Sequence, residues 1–477
     1  MLGPLPATCS IHDLATSRTW HADTLSRDVA ARAGEFARRD IGPGSRVAIM
    51  HGGTVRFFVD LLATWTCGAT ALGLDPDLKP NERDTICAFV QPDLVTTEDA
   101  DHVPAAGGPV ARPGKGGSCG ADPVRSAGPG PEEPALMLFT SGTTGTPKGV
   151  VLSFGALETR FRLNLQAIGG QALRMTLVTL PTHFGHGLIG NALTPLFAGG
   201  GILIGAGGVD LAANLGRIVE THGISFLTSV PAFWHMVLKL SRPPEAGTLQ
   251  RVHVGSAPLS VELWTRIAEW AGCEVVNCYG TTETANWISG ASSLEGPEDG
   301  LVGRPWGGGV GVRNDTGTIV EEGEGEIVVR SPTVMTGYFD RPDLTAQVLQ
   351  DGWYRTGDRG VVDGHGRIFL TGRIKDEINR AGFKVQPAEI DHLLERHPAV
   401  AEACTFGAPD AMSGEVVAVA IRLATDSREN QETLRAWCLE RLRREAVPER
   451  WYFVKEIPRT SRGKVNRHMV GRALVAD

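Results

Sequence analysis

Leu138-Phe-Thr-Ser-Gly-Thr-Thr-Gly-Thr-Pro-Lys-Gly-Val150 ends an apolar strand and then crowds hydroxyls, glycines and one lysine into the stretch from Thr140 to Gly149. A loop of this kind suits a polyphosphate. Glycines such as Gly142 let backbone N–H groups curl around phosphate oxygens. The hydroxyls of Thr140, Ser141, Thr143 and Thr144 add donors or a metal contact, and Lys148 supplies a compact positive charge. The pattern is not a Walker loop, because Lys148 is followed by Gly149 rather than by Ser or Thr and the preceding glycines are spaced differently. Taken alone, the segment also fits a flexible surface loop.

Outward from this loop the chain alternates helix and strand. Leu25, Val29, Ala33 and Phe36 recur at helical spacing after Thr24, which the pattern places at the N-cap. Arg46 to Met50 then reads as a buried strand, Thr54 to Thr66 as a helix and Ala69 to Leu74 as a strand. Between Ala105 and Pro134 the composition shifts to Gly, Pro and Ala, which reads as a mobile surface loop. From Ala135 to Phe369 the alternation resumes. The expectation is an α/β fold, with a large N-terminal domain of several subdomains and mostly parallel sheets over 1–371. Beyond Thr371, a helix near Pro387 to Arg396 precedes strands near Val400 to Phe406 and Glu415 to Ile421. A helix near Gln431 to Arg443 and a strand near Trp451 complete a small α+β domain over 372–477.

Composition narrows the class. With 42% apolar and 21% charged residues, the 477-residue chain can bury a sizeable interior, and 477 residues exceed one ordinary core. The net charge of −8 and the lack of a basic run give no footprint for nucleic acid or an anionic membrane, so small molecules are the expected partners. Cys9, Cys67, Cys87, Cys119, Cys273, Cys278, Cys404 and Cys438 form no C-x-x-C pair and read as reduced, cytoplasmic thiols. Met1 to Ser10 lacks a secretory pattern. The uncharged run Gly187 to Val209 resembles a membrane span in length, but Pro195 and Gly199-Gly200-Gly201 break it into a short helix and a strand, so no membrane span is expected.

Four further segments follow the first in order. Asn277-Cys-Tyr-Gly-Thr-Thr-Glu283 ends an apolar strand, and Tyr354-Arg-Thr-Gly-Asp358 follows a Gly-containing turn. Gly372-Arg-Ile-Lys-Asp-Glu-Ile-Asn-Arg-Ala-Gly382 opens the small domain, and Pro458-Arg-Thr-Ser-Arg-Gly-Lys-Val-Asn-Arg467 lies near the end. Together these resemble the adenylate-forming superfamily, which contains acyl-CoA synthetases, aryl-CoA ligases, luciferases and the adenylation domains of peptide synthetases. The resemblance covers nearly the whole chain.

The resemblance implies ATP as substrate, an acyl-AMP intermediate and a role for each matched residue. The loop from Thr140 to Lys148 would hold the β- and γ-phosphates, and Glu283 with Thr140 would bind magnesium, a hard cation that favours oxygen ligands. Tyr279 would stack on adenine, the stretch Gly255-Ser256-Ala257-Pro258-Leu259 would line the adenine and acyl pocket, Gly280 would join the cofactor-binding residues, and Thr282 would contact the α-phosphate. Asp358 would accept the ribose hydroxyls, with Arg373 beside it. Lys464 would be the catalytic cation between the acid carboxylate and the α-phosphate. Lys375 would be the hinge about which the small domain turns between half-reactions, bringing Gly382 towards the thiol.

Specificity is read from Thr182-His-Phe-Gly-His-Gly-Leu188 and from the residues after Glu283. Peptide-synthetase domains resemble one another in placing an aspartate in the first segment, and none is present, which disfavours an α-amino acid. His183, Phe184, His186 and Trp287 offer flat walls that suit an aromatic or compact acid, or are ordinary core filler. Coenzyme A is the first-ranked acceptor. Amide formation or loading of a carrier protein is second, and adenylation of nitrous acid for capture by an aryl amine, a diazotase reaction, is third. Asn379 stands where several relatives have lysine, and no acceptor motif decides among these.

Overall fold

The computed structural model describes residues 4–97, 101–102, 129–140, 148–205, 207–381, 383–410, 413–425, 427, 429–459 and 465–475. Most of the Gly/Pro/Ala-rich stretch from 105 to 134 lies outside the described residues. By internal contact the chain forms two compact units, one of residues 1–310 and 329–354, the other of 311–328 and 355–477.

The first unit holds two sheets. One runs in the order Gly337–Tyr338, Lys148–Ser153, Pro134–Thr140, Thr70–Gly73, Arg46–Ile49, Leu94–Thr96, Asp101–His102. Its inner pairings are parallel and its edges antiparallel. The other runs Leu301–Pro305, Asn286–Ser292, Glu274–Thr281, Arg251–Gly255, Phe226–Ser229, Met175–Leu177, Gly201–Ile204, Ser10–Asp13, Arg18–His21. It is parallel from Glu274–Thr281 through to Ser10–Asp13. Strands buried on both faces carry continuous apolar runs, as Val252, Val254, Val275 and Val276 do here at no more than 1% exposure.

Local chemistry explains most element ends. Thr54 caps the helix Val55–Thr66 by accepting from the Phe57 amide at 3.3 Å. The first helix, Ala22–Ala37, begins earlier than its apolar spacing suggests. His21 rather than Thr24 is its N-cap, because the strand Arg18–His21 runs directly into it. Pro195 does not stop its helix. A π-helix, His186–Leu193, continues into Thr194–Phe197, and the Ile189 carbonyl accepts both the Thr194 amide and, at 2.7 Å, the Thr194 hydroxyl. The strand Gly201–Ile204 follows. Among the described residues no helix is long and apolar enough to cross a membrane.

The second unit carries the antiparallel pair Trp353–Val362 with Ile368–Arg373, and a sheet ordered Phe383–Val385, Ile378–Arg380, Gly414–Leu423, Val400–Asp410, with Arg450–Phe453 parallel to Gly414–Leu423. Alternation along Gly414–Leu423 sorts its side chains onto two cores. Val417, Val419 and Ile421 pack with Ile390 and Leu394 of the helix Pro387–Glu395 and Leu434 of the helix Gln431–Leu439. Val416, Ala418 and Ala420 pack on the other face with Val470 of the helix Arg467–Val475.

Candidate active site

Strands Pro134–Thr140 and Lys148–Ser153 pair so that Thr140 stands opposite Lys148, which holds the ends of the connecting loop together. Ser141, Gly142, Thr143, Thr144 and the Thr140 side chain lie outside the described residues, as do Gly382 and Lys464. Lys148 Nζ sits 5.5 Å from the ring centre of Tyr338, whose strand pairs Tyr338 with Val150. The Tyr338 hydroxyl donates to Glu283 Oε1 at 2.9 Å. A cation, a phenol and a carboxylate thus meet beside the loop's closed end.

Burial, then the Glu283 charge, pushes the Tyr338 phenol far above its ordinary value. Burial likewise raises Tyr354, with Glu283 and Tyr338 adding to the shift. Both therefore stay protonated, and the Tyr338 hydroxyl is the donor to Glu283. Motif reading missed this role for them, although a compositional signal existed: the chain has 4 tyrosines, and three of them, Tyr279, Tyr338 and Tyr354, belong to this unit.

Glu283 is presented by a tightly determined turn. The strand Glu274–Thr281 bulges between Tyr279 and Gly280 and leads into a single 3₁₀ turn, Thr282–Thr284. A Cβ on Gly280 would lie 2.1 Å from the Asn286 carbonyl oxygen, so only glycine fits. Thr284 Oγ1 donates to that same oxygen at 2.8 Å and receives the Thr281 amide at 3.0 Å. Ala285 at φ 53° and Asn286 at φ 92° are left-handed without being glycine, a cost of about 1–3 kcal/mol each that the surrounding bonds offset. Behind the turn, fully buried Arg160 donates to the Thr284 carbonyl at 3.2 Å and Thr333 Oγ1 at 2.6 Å, and burial lowers its pKa to about 9.

In the segment Thr182 to Leu188, His186 Nδ1 bonds Ser256 Oγ at 2.8 Å and Nε2 bonds Thr228 Oγ1 at 2.7 Å, with its ring edge-on to Trp287 at 5.4 Å. Gly190 lets the π-helix rest on this wall, since a Cβ there would come within 2.2 Å of Asn286 Nδ2 and 2.9 Å of the Trp287 ring. His186, Ser256 and Trp287 are therefore brought together. His183 turns instead towards Asp75, at 3.4 Å, and packs on Phe184 at 4.3 Å between ring centres. Gly255 ends its strand, Ser256 and Ala257 form an exposed turn, and Tyr279 is 7% exposed. Among the described residues no group of three or more His, Cys, Asp or Glu is placed to hold a metal, so a cation at Glu283 would depend on the oxygens of its substrate.

In the second unit Asp358 and Arg373 face each other across paired strands, with Arg373 Nε 2.7 Å from Asp358 Oδ1 and the carboxylate 5% exposed. Lys375 is exposed in the single 3₁₀ turn Ile374–Asp376. The motif that carries Lys464 is anchored on both sides. Arg459 bridges to Val465 and pairs with Glu402, while Arg467 pairs with Asp391 at 2.5 Å and donates to the Thr405 carbonyl at 2.8 Å.

A hairpin of paired strands, a carboxylate-bearing turn and an aromatic cluster are thus features of the first unit. The profile of the AMP-binding enzyme family matches residues 7–339, and that of the AMP-binding enzyme C-terminal domain matches residues 389–464. An oxalate–CoA ligase of Arabidopsis thaliana is 30% identical over 93% of this chain and 92% of its own length. A feruloyl-CoA synthase of an Amycolatopsis species is 32% identical over 94% and 92%. Among solved structures, the amide bond synthetase McbA from Marinactinospora thermotolerans superposes with a TM-score of 0.83 at 28% identity, covering 99% of this chain and 97% of that one. The chain belongs to the AMP-binding enzyme family and is an adenylate-forming ligase.

Proposed function

We propose that this enzyme uses ATP to activate a compact, aromatic carboxylic acid as an acyl-AMP and passes the acyl group to coenzyme A. The observation that carries the ATP step is the meeting of Lys148, Tyr338 and Glu283 beside the phosphate hairpin. One carboxylate oxygen of the acid attacks the α-phosphorus of ATP, the bond to pyrophosphate breaks, and Lys148 with the loop hydroxyls receives the departing charge. Glu283, oriented by Tyr338, and the Thr140 hydroxyl suit magnesium, which when bound neutralises charge on the β- and γ-phosphates. Thr282 contacts the α-phosphate, Tyr279 the adenine, and Asp358 with Arg373 the ribose. To Lys464 falls the charge that neutralises the two anions that react. The chain from 372 onward then turns about Lys375, and the thiol sulfur attacks the acyl carbon, expelling AMP and releasing its proton to solvent.

His186 and Trp287 support an aromatic acid, as do the feruloyl-CoA synthase and the CoA ligases among the relatives. The likeness to an amide bond synthetase favours a second reading, in which an amine replaces the thiol, and a relative named as an acyl-carrier-protein ligase supports a carrier protein as a third acceptor. A screen of aromatic and short aliphatic acids for pyrophosphate release, followed by mass spectrometry with coenzyme A or an amine, separates these. A coenzyme A thioester is expected; an amide in its place, with no thioester, would overturn the first acceptor assignment.

Tyr338→Phe tests the Glu283 arrangement. A hydrogen bond to a charged group is worth about 1.5–3 kcal/mol. The variant should lose roughly 10-fold or more in kcat/KM for adenylation and need more magnesium for half-maximal rate. An unchanged magnesium titration would remove Tyr338 from this role.

A further inference from the structure

His253 is the unused polar group beside the acid wall. It lies on the strand Arg251–Gly255, two residues before Gly255, and is fully buried. Its ring sits 4.9 Å from Trp287, 5.0 Å from Phe226 and 5.6 Å from Trp306 between centroids. It stands in register with Thr228 on the neighbouring parallel strand, so the two side chains share a face. Thr228 holds His186 Nε2, and Ser256 holds Nδ1, so His186 offers the acid pocket only its ring. His253 is the reverse case. Neither ring nitrogen has a hydrogen-bond partner among the described residues. Leaving a buried polar atom unmatched costs about 1–3 kcal/mol, and an apolar ring would fill the same aromatic cage without that penalty.

We infer that His253 is a specificity-determining residue that hydrogen-bonds a neutral polar substituent, of the phenolic hydroxyl class, at the end of the acid remote from its carboxylate. The inference rests on the acid-activating reading above. Position supports the word remote: ligands of parallel sheets lie outside the carboxyl ends of the strands, and His253 is about 6–7 Å further in than Gly255. Charge supports the word neutral. Burial first, then Arg251 and His186, holds the imidazole well below its ordinary pKa, so it offers one N–H and one lone pair, the complement of a hydroxyl. A second carboxylate or a sulfonate would need a cation, and Arg251 is engaged by Glu274 at 3.1 Å and by the carbonyls of Ala167 and Ile168 at 2.8 and 3.2 Å.

The test compares 4-hydroxybenzoate with benzoate, and 4-hydroxycinnamate with cinnamate, as substrates for pyrophosphate release by the parent and by His253→Phe, with malonate as a dicarboxylate control. The parent should prefer the hydroxylated member of at least one pair. His253→Phe should lower kcat/KM for that acid roughly 10- to 100-fold while keeping activity on its unsubstituted partner, which also reports that the variant folds. If His253→Phe fails to fold, His253→Gln, which retains a donor and an acceptor, should keep the preference. Equal losses on both members of a pair, or a parent that prefers benzoate, cinnamate or malonate, would overturn the inference and leave acid activation standing. Absence of pyrophosphate release with every acid would instead bring down the reading on which it rests.

Discussion

Lys464→Ala should slow acyl-adenylate formation roughly 10²- to 10³-fold while ATP still binds. The reaction drives one anion onto another, so a cation placed between carboxylate and α-phosphate acts mainly in the transition state, and removing one such group typically costs this much. The flanks of Lys464 are built for placement. Arg459 is tied to Val465 and Glu402, and Arg467 to Asp391 and the Thr405 carbonyl, so the described residues on either side of the lysine are held by their own sheet and helix. Single-turnover formation of acyl-AMP, measured beside equilibrium binding of ATP, checks the separation. Adenylation at the parental rate would end the assignment of Lys464, and loss of ATP binding in parallel would make it a binding residue rather than one acting on the reacting atoms.

Asp60→Ala should cost about 3–5 kcal/mol of stability, because it breaks a buried ion pair with Arg32, which keeps its bond to Glu35, and removes the acceptor of buried His51. Asp60 is fully buried in the helix Val55–Thr66, receiving Arg32 Nε at 2.6 Å on one oxygen and His51 Nε2 at 2.8 Å on the other. His51 also bonds Thr96 Oγ1 at 3.2 Å, and in the same loop the Gly53 amide donates to Thr182 Oγ1 at 3.2 Å, so the cluster fastens the loop that is bonded to Thr182. Burial alone would raise the Asp60 pKa, but the bonds from His51 and Arg32 outweigh it and the pKa is lowered. Its contribution is therefore complete above the ordinary aspartate value of 3.8 and is lost as pH falls through the lower folded value. Urea unfolding at pH 7 and along an acid series measures both effects. A change within about 0.5 kcal/mol at pH 7, the range of an ordinary surface substitution, would contradict the first.

What was legible in the sequence was what repeats at short range. The run Val416 to Ile421 is apolar throughout because its strand is buried on both faces, and it announces that strand. Thr54 sits where an N-cap belongs and is one, whereas Thr24 matches the pattern equally well and lies inside a helix begun by the preceding strand. The five motifs carry the family because their order and spacing are local facts. The site's supports are long-range contacts and leave no such trace. Tyr338 meets Glu283 across 55 positions, Arg160 meets Thr284 across 124, and His186 meets Ser256 across 70. His253 was passed over for a related reason: in sequence it is one polar residue in an apolar strand, and only the structure surrounds it with Phe226, Trp287 and Trp306 while leaving both nitrogens unmatched.

Acid-dependent exchange of labelled pyrophosphate into ATP reports reversible attack at the α-phosphorus and nothing later. With an activating acid present and no thiol, label should enter ATP, and adding coenzyme A should then release AMP and pyrophosphate in equal amounts. ADP and inorganic phosphate as products, with no exchange, would show that the bond broken lies between the β- and γ-phosphates and that this site does not make adenylates.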